Sequence, residues 1–243
     1  MDILTYAWTD KGGREQNEDY YGYCYADDNG VWVITDGLGG HSYGEIASRF
    51  ITEAMITQAG KLREFTEESL IHISLEANRM LLAEQAAHPE LKGMKTTLVA
   101  VFVRNRLMKV IHAGDSRLYY FKQGSISFCT KDHSLSRLAA DAGEITYEDI
   151  RFHEDRNIVL KVMGLENLNL KNTVDSITIA PGDAFLLCTD GFWEYVLEKE
   201  MVEDLSKAAS PQDWYERMRE RLLSRVPADN DNFTAICSFI TEV

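Results

Sequence analysis

Four acidic spots in this 243-residue sequence share one setting. Glu18-Asp19 stand just before Tyr20, and Asp36-Gly37 follow the apolar residues 31–35. Asp190-Gly191 follow residues 185–189, and Asp231-Asn232 precede Phe233. Each lies where an apolar, strand-like run begins or ends. A carboxylate placed there can face a cleft while its strand stays in the core. Asp-Gly and Asn-Asp are also ordinary turn residues, so any one spot alone says little. Carboxylates gathered in one place repel unless a cation holds them. An oxygen-rich set with few imidazoles suits magnesium or manganese better than zinc. Gly37, Gly39, Gly40 and Gly44 crowd the second spot, where a bare backbone can approach a ligand and offer it a carbonyl. The GK[ST] ending of a P-loop and the GxGxxG fingerprint are both missing.

The elements that must position these groups read as follows. Ile3, Leu4, Tyr6 and Trp8 open the chain as a strand. Residues 20–25 and 31–35 form a hairpin closed by Asp27-Asp28-Asn29-Gly30, with Asn-Gly as the turn signal. Helical spacing runs over 45–58, with Gly60 as its stop, and again over 67–87, with Pro89 beyond its end. Residues 97–103, 107–112, 118–121 and 126–128 are short apolar strands. Residues 132–170 are polar, with helical stretches at 135–142 and 147–150, and form a long insertion of the kind that often carries function. Strands return at 177–179 and 184–188. Ser210-Pro211 start a helix to about 225, and 233–240 close the chain as a strand. Many antiparallel-looking strands with grouped helices predict an α+β layered fold. No linker or internal repeat is visible, so the expectation is one domain over residues 1–243.

Lys and Arg number 25 and Asp and Glu 39, a net charge of −14. That surface repels phosphate backbones and anionic lipid, which argues against nucleic-acid and membrane partners. No signal peptide is apparent, and the longest strongly apolar run, 98–103, is far too short to span a bilayer. Cys24, Cys129, Cys188 and Cys237 form no CxxC pair and read as small buried hydrophobes in a reducing cytosol, which gives a cytoplasmic expectation.

The motifs in order are Arg14-Glu15-Gln16-Asn17-Glu18-Asp19, Asp36-Gly37-Leu38-Gly39-Gly40-His41, Gly93-Met94-Lys95-Thr96-Thr97 and His112-Ala113-Gly114-Asp115-Ser116-Arg117. Thr130-Lys131-Asp132-His133, Asp190-Gly191 and Asp231-Asn232-Phe233-Thr234 complete the set. Together they resemble the metal-dependent protein phosphatases, the protein phosphatase 2C-like group in its compact bacterial form. The likeness extends from residue 14 to residue 234. It implies a β-sandwich of two antiparallel sheets flanked by α-helices, with a flap at about 134–164 that shapes substrate choice.

The resemblance also implies roles. Asp36 would bridge two Mn2+ or Mg2+ ions, the Gly37 carbonyl would join one, and Asp190 and Asp231 would bind the other. Asp231 is preferred over Asp229 because Phe233-Thr234-Ala235 then begins the strand. Asp19 would hold the site through water, with Glu18 near the second ion. Asp132 would share a third, weaker site with Asp190. Two cations can ionise a shared water and neutralise phosphoryl oxygens, giving in-line attack with no covalent intermediate. Arg14 would clamp the phosphate as a two-pronged fork, which Lys reproduces poorly. His41 is open between proton transfer and a structural place at a helix start. Leu38 stands where many eukaryotic members have a His assigned as general acid, and Lys95 stands where Gly is common; the sequence offers no account of Lys95. Asp115 reads as a turn carboxylate.

The expected activity is hydrolysis of phosphoserine and phosphothreonine in proteins by a monomer that opposes a Ser/Thr kinase. A non-catalytic phosphoprotein-binding module is the competing reading, disfavoured by the intact Asp36, Asp190 and Asp231. A two-metal nuclease is disfavoured by the acidic charge.

Overall fold

The computed structural model describes residues 1–26, 29–38 and 43–242. Among these, β1 (Asp2–Asp10), β2 (Asp19–Ala26) and β3 (Asn29–Leu38) lead into helices α1 (Gly44–Ala59) and α2 (Glu67–Ala87). Five strands follow: β4 (Lys95–Thr96), β5 (Leu98–Arg104), β6 (Leu107–Ala113), β7 (Arg117–Lys122) and β8 (Ser125–Cys129). Next come α3 (Leu135–Asp141), β9 (Val174–Thr178), β10 (Ala184–Cys188) and α4 (Asp190–Trp193). The chain ends in α5 (Glu198–Lys207), α6 (Pro211–Leu223) and β11 (Phe233–Thr241).

Strand alternation sorts the apolar side chains into three packed layers. Trp32 and Ile34 of β3 and Val99, Val101 and Val103 of β5 meet Ile236 and Ile240 of β11 between the sheets. Their neighbours Val31, Val33, Leu98, Ala100 and Phe102 face the other way, onto α1 and α2. On the far side Ala235 and Cys237 of β11 pack with Met201, Trp214 and Met218 of α5 and α6. A strand covered on both faces needs a continuous apolar run, and residues 98–103 supply one.

One sheet runs β1-β11-β10-β7-β8; the other runs β2-β3-β5-β6-β9, with β4 pairing onto β3. Every strand pair is antiparallel. This is the α+β sandwich the sequence predicts.

The helix boundary signals hold. Thr66 Oγ1 accepts from Ser69 N at 3.1 Å, and Ser69 Oγ accepts from Thr66 N at 2.9 Å, so α2 starts on a reciprocal cap. Ser210 Oγ accepts from Asp213 N at 3.1 Å, with Pro211 in the first turn of α6.

Four readings need correction. Asn29-Gly30 is not the hairpin turn; both residues lie in β3, opposite Ala26 and Tyr25. Gly30 is there for packing, since a Cβ would sit 2.4 Å from the Trp32 ring. Asp27 and Asp28 lie outside the described residues. Helix α5 was not expected from its sequence, because charged residues outnumber apolar ones. The strand expected at 177–179 falls at Val174–Thr178. Finally, Cys24 is exposed on β2 rather than buried.

Residues 134–164 rise from the rim of the sandwich. Isolated bridges pin the segment near both ends, Ser134 with Val159 and Thr96 with Met163. No described helix is long and apolar enough to cross a membrane.

Candidate active site

The strand ends named by the sequence come together at one end of the sandwich. Asp19 begins β2 and lies directly opposite Asp36 near the end of β3. In the other sheet Thr189 N donates to Thr234 O at 3.1 Å, which places Asp190 beside Asp231-Asn232. The two sheets are joined there: Asp19 Oδ2 accepts from Thr189 Oγ1 at 2.9 Å and from Thr234 Oγ1 at 2.6 Å. Asn232 Oδ1 accepts from Glu18 N at 2.8 Å. Gly37 and Gly44 allow a close crossing. A Cβ on Gly37 would lie 2.3 Å from Gly44 O, and one on Gly44 would lie 2.4 Å from Glu18 Oε2. Thr97 clasps Asp36 by its main chain: Asp36 N donates to Thr97 Oγ1 at 2.9 Å, and Thr97 N donates to Asp36 O at 2.8 Å.

A cleft of about 360 Å³ opens at this end. Asp36, Asp190, Asp231, Glu18, the Gly37 backbone and Arg14 all line it, as sequence reasoning expects. Leu38 adds an apolar wall. Asp19 is buried behind the lining. His41, Gly39 and Gly40 lie outside the described residues.

Asp132 is elsewhere. Both its oxygens are held by the Arg117 fork, at 2.8 and 2.6 Å, with its side chain 1% exposed. Asp132 is not part of the cleft wall. The carboxylate that does reach it is Asp115, which the sequence reading treated as a turn residue. Its Oδ1 is buried with no hydrogen-bond partner. Glu194 was also missed; it is paired with Arg156 at 2.8 Å and close enough to Asp190 to feel its charge.

The carboxyls are strained electrostatically. Burial and the charges of Asp190 and Asp231 push Asp19 up to about 8, against two stabilising hydroxyl bonds. Burial and Asp231 push Asp190 up to about 6, even with a side-chain hydrogen bond to Asp36. Asp36 is held well above the usual range by burial and then by Asp190, Asp19, Asp115 and Asp231. Burial, then Asp190 and Asp132, do the same to Asp115. Burial, with Asp190 next, lifts Glu194 to about 7.

This donor set fits divalent cations. The groups are all oxygens, their mutual repulsion is only partly relieved by Arg14 and Arg156, and Asp19 Oδ1 and Asp115 Oδ1 are buried without partners. Among the described residues no three His, Cys, Asp or Glu side chains are drawn into a closed cage. Asp231 instead carries the Arg14 fork, at 3.1 and 3.0 Å.

A pH dependence follows. Without metal, the folded protein keeps protons on Asp19 and Asp190 that the unfolded chain sheds near 3.8. Stability from these groups is full below about pH 4 and is lost as pH rises through about 6 and then 8. A cation that neutralises them restores most where most was lost. The rise in melting temperature on adding Mn2+ should therefore be larger at about pH 8 than at about pH 5.5, by roughly 5 °C. Thermal melts at both values check this; an equal or smaller gain at the higher pH contradicts it.

A helix-flanked double sheet with carboxylates converging at one end is the architecture of the metal-dependent phosphatases. Residues 12–227 match the family described as protein phosphatase 2C. The serine/threonine phosphatase stp of Listeria welshimeri is 33% identical over 209 residues, 82% of this chain and 81% of that one. The crystal structure of the Mycobacterium tuberculosis serine/threonine phosphatase PstP/Ppp matches with a TM-score of 0.86 at 27% identity, over 99% of each chain. A structure of the PstP catalytic domain in complex with 2 manganese ions matches with a TM-score of 0.84 at 26% identity, over 99% of each chain. The chain belongs to the protein phosphatase 2C family. It is a metal-dependent protein phosphatase.

Proposed function

We propose that this protein hydrolyses phosphoserine and phosphothreonine monoesters in proteins at a two-cation Mn2+ or Mg2+ centre. The observation that carries this reading is the convergence of Asp36, Asp190 and Asp231, from both sheets, on one cleft. Asp36 would bridge the two ions, the Gly37 carbonyl would complete one, and Asp190 and Asp231 the other. Asp19 and Glu18 would support them through water. Asp115, rather than Asp132, would share a weaker third position with Asp190. When bound, such ions supply an ionised water and neutralise phosphoryl charge.

The chain's own residues do the rest. Asp36 is fixed at its main chain by Thr97, which holds the base of its side chain in the cleft wall. Asn232 holds the Glu18 backbone and the Lys11 and Gln16 carbonyls, at 2.8, 2.8 and 2.9 Å, and so fixes the segment that carries Arg14. Arg14 reaches the cleft mouth with a fork that matches two phosphoryl oxygens. Leu38 has no proton to give, so the leaving oxygen takes its proton from water in the cleft. Residues 134–164 would act as the flap, with Asn157 and Val159 already in the cleft wall. The chain would act as a single-domain monomer in the cytoplasm, against a Ser/Thr kinase.

The test is hydrolysis of a phosphothreonine peptide with Mn2+ and with a chelator. Activity only with metal supports the reading; a folded, metal-saturated and inert protein defeats it. A second test concerns Arg14. Arg14→Ala should raise KM for the peptide roughly 10- to 100-fold, the loss of one charge-assisted fork. Mn2+ affinity should not fall, because Arg14 competes with cations for Asp231 in the free protein. Steady-state kinetics and calorimetric Mn2+ titration check both halves; weakened Mn2+ binding would contradict the competition.

A further inference from the structure

Trp193 does not itself line the cleft, yet its surroundings are unusually specific. It ends α4, three residues after Asp190, and is 2% exposed. Its indole Nε1–H donates to the Asp115 carbonyl at 2.9 Å. One ring face carries the Arg117 guanidinium, 3.5 Å from the centroid, and the Arg151 guanidinium lies 5.8 Å from that centroid. Both cations are themselves fixed. Arg117 is forked onto Asp132, and its Nη1 lies 2.9 Å from the Tyr119 hydroxyl. Arg151, from the 3-10 turn at Asp149–Phe152, donates to the carbonyls of Trp193, Glu194 and Val196 and to Glu198 Oε2. Those carbonyls are the ones a helix end leaves without partners.

We propose that Trp193 is a positioning residue that sets Asp115 against Asp190. The indole joins the helix that begins with Asp190 to the turn that carries Asp115, and the two guanidinium groups keep the ring from rotating. The other side of that turn is held separately, by His133 N donating to Gly114 O at 2.8 Å. With the backbone tied on both sides, the Asp115 carboxylate faces the cleft with its Oδ1 buried and unpartnered. Asp132 thereby has a use that is not ligation: it anchors the Arg117 that braces Trp193. The inference rests on the reading of Asp115 and Asp190 as a pair that holds the weaker cation.

The test compares Trp193→Phe, Arg151→Lys and Asp115→Asn with the wild type. Phe keeps an aromatic face for Arg117 but loses the N–H. Lys keeps the charge of Arg151 but not the fork that spans three carbonyls and a carboxylate. Calorimetric Mn2+ titration should show the weaker component loosened roughly five- to tenfold in both Trp193→Phe and Arg151→Lys, the loss of about one hydrogen bond. The tight components should stay unchanged. Turnover of a phosphothreonine peptide should fall by a similar factor, with KM within about twofold. If Trp193→Phe does not fold, Arg151→Lys decides alone.

Asp115→Asn separates the two levels of the reading. If it removes the weaker component while Trp193→Phe and Arg151→Lys titrate like the wild type, the positioning role is wrong and the cation pair stands. If Asp115→Asn also titrates like the wild type, the pair itself is wrong and the positioning role falls with it. A rise in KM without loss of turnover would make Trp193 a substrate contact and likewise overturn the proposal.

Discussion

Asp36→Asn is expected to lower turnover of a phosphothreonine peptide by roughly a thousandfold or more at saturating Mn2+. The same change should leave the melting temperature of the metal-free protein no lower than that of the wild type. The two halves come from one fact. Asp36 is half-buried in the cleft wall and crowded by the charges of Asp190, Asp19, Asp115 and Asp231, and its own charge is unwelcome there until a cation arrives. Asn keeps the size and a polar head that can still meet Asp190, while removing the charge that two cations would share. Kinetics and thermal melts of the same preparation check this. Turnover within tenfold of the wild type would take Asp36 out of the centre. A collapse in melting temperature would make it a structural residue.

Asp132→Asn should have the opposite signature. Arg117 is buried with its partner, 8% and 1% exposed at the side chain. Removing one member of such a pair leaves a charge in the core and costs about 3–5 kcal/mol. For a chain of this length that is a fall of roughly 6–20 °C in melting temperature. Glu198, 3.5 Å from Arg117 Nη1, offsets part of the loss and favours the smaller figure. The number of Mn2+ ions bound at saturation should not change. A titration that loses an ion while stability holds would return Asp132 to the set of ligands.

The cleft-lining carboxylates were legible because each broke a pattern. An apolar run such as 31–35 has no reason to end in a carboxylate and glycines unless that end meets something polar. Asp115 carried the same signature, an acid beside Gly114 after the apolar run 107–112, and the rule that found Asp36 would have found it. It was passed over because turns of that composition are common and nothing in the local sequence says which way the side chain faces.

Asp132 failed for a complementary reason. Its fate depends on Arg117, fifteen residues earlier, and only the β7–β8 pairing brings the two together. Helix α5 was invisible because Met201 and Leu205 are few among charges; Glu200 and Asp204 are buried there and paired with the more exposed Arg221 and Arg225, which no apolar periodicity reports. Trp193 had no sequence signal beyond its bulk.

The order of assembly follows from the sheet that holds Asp231. Strand β1 pairs along its whole length with β11 and has no other neighbour in that sheet. Strand β1 must therefore wait for β11, more than 200 residues later, and the residues that flank the cleft cannot meet before both are made. Catalytic power arrives in one step with β11, so a chain not yet extended that far has no means of acting on phosphoproteins around it.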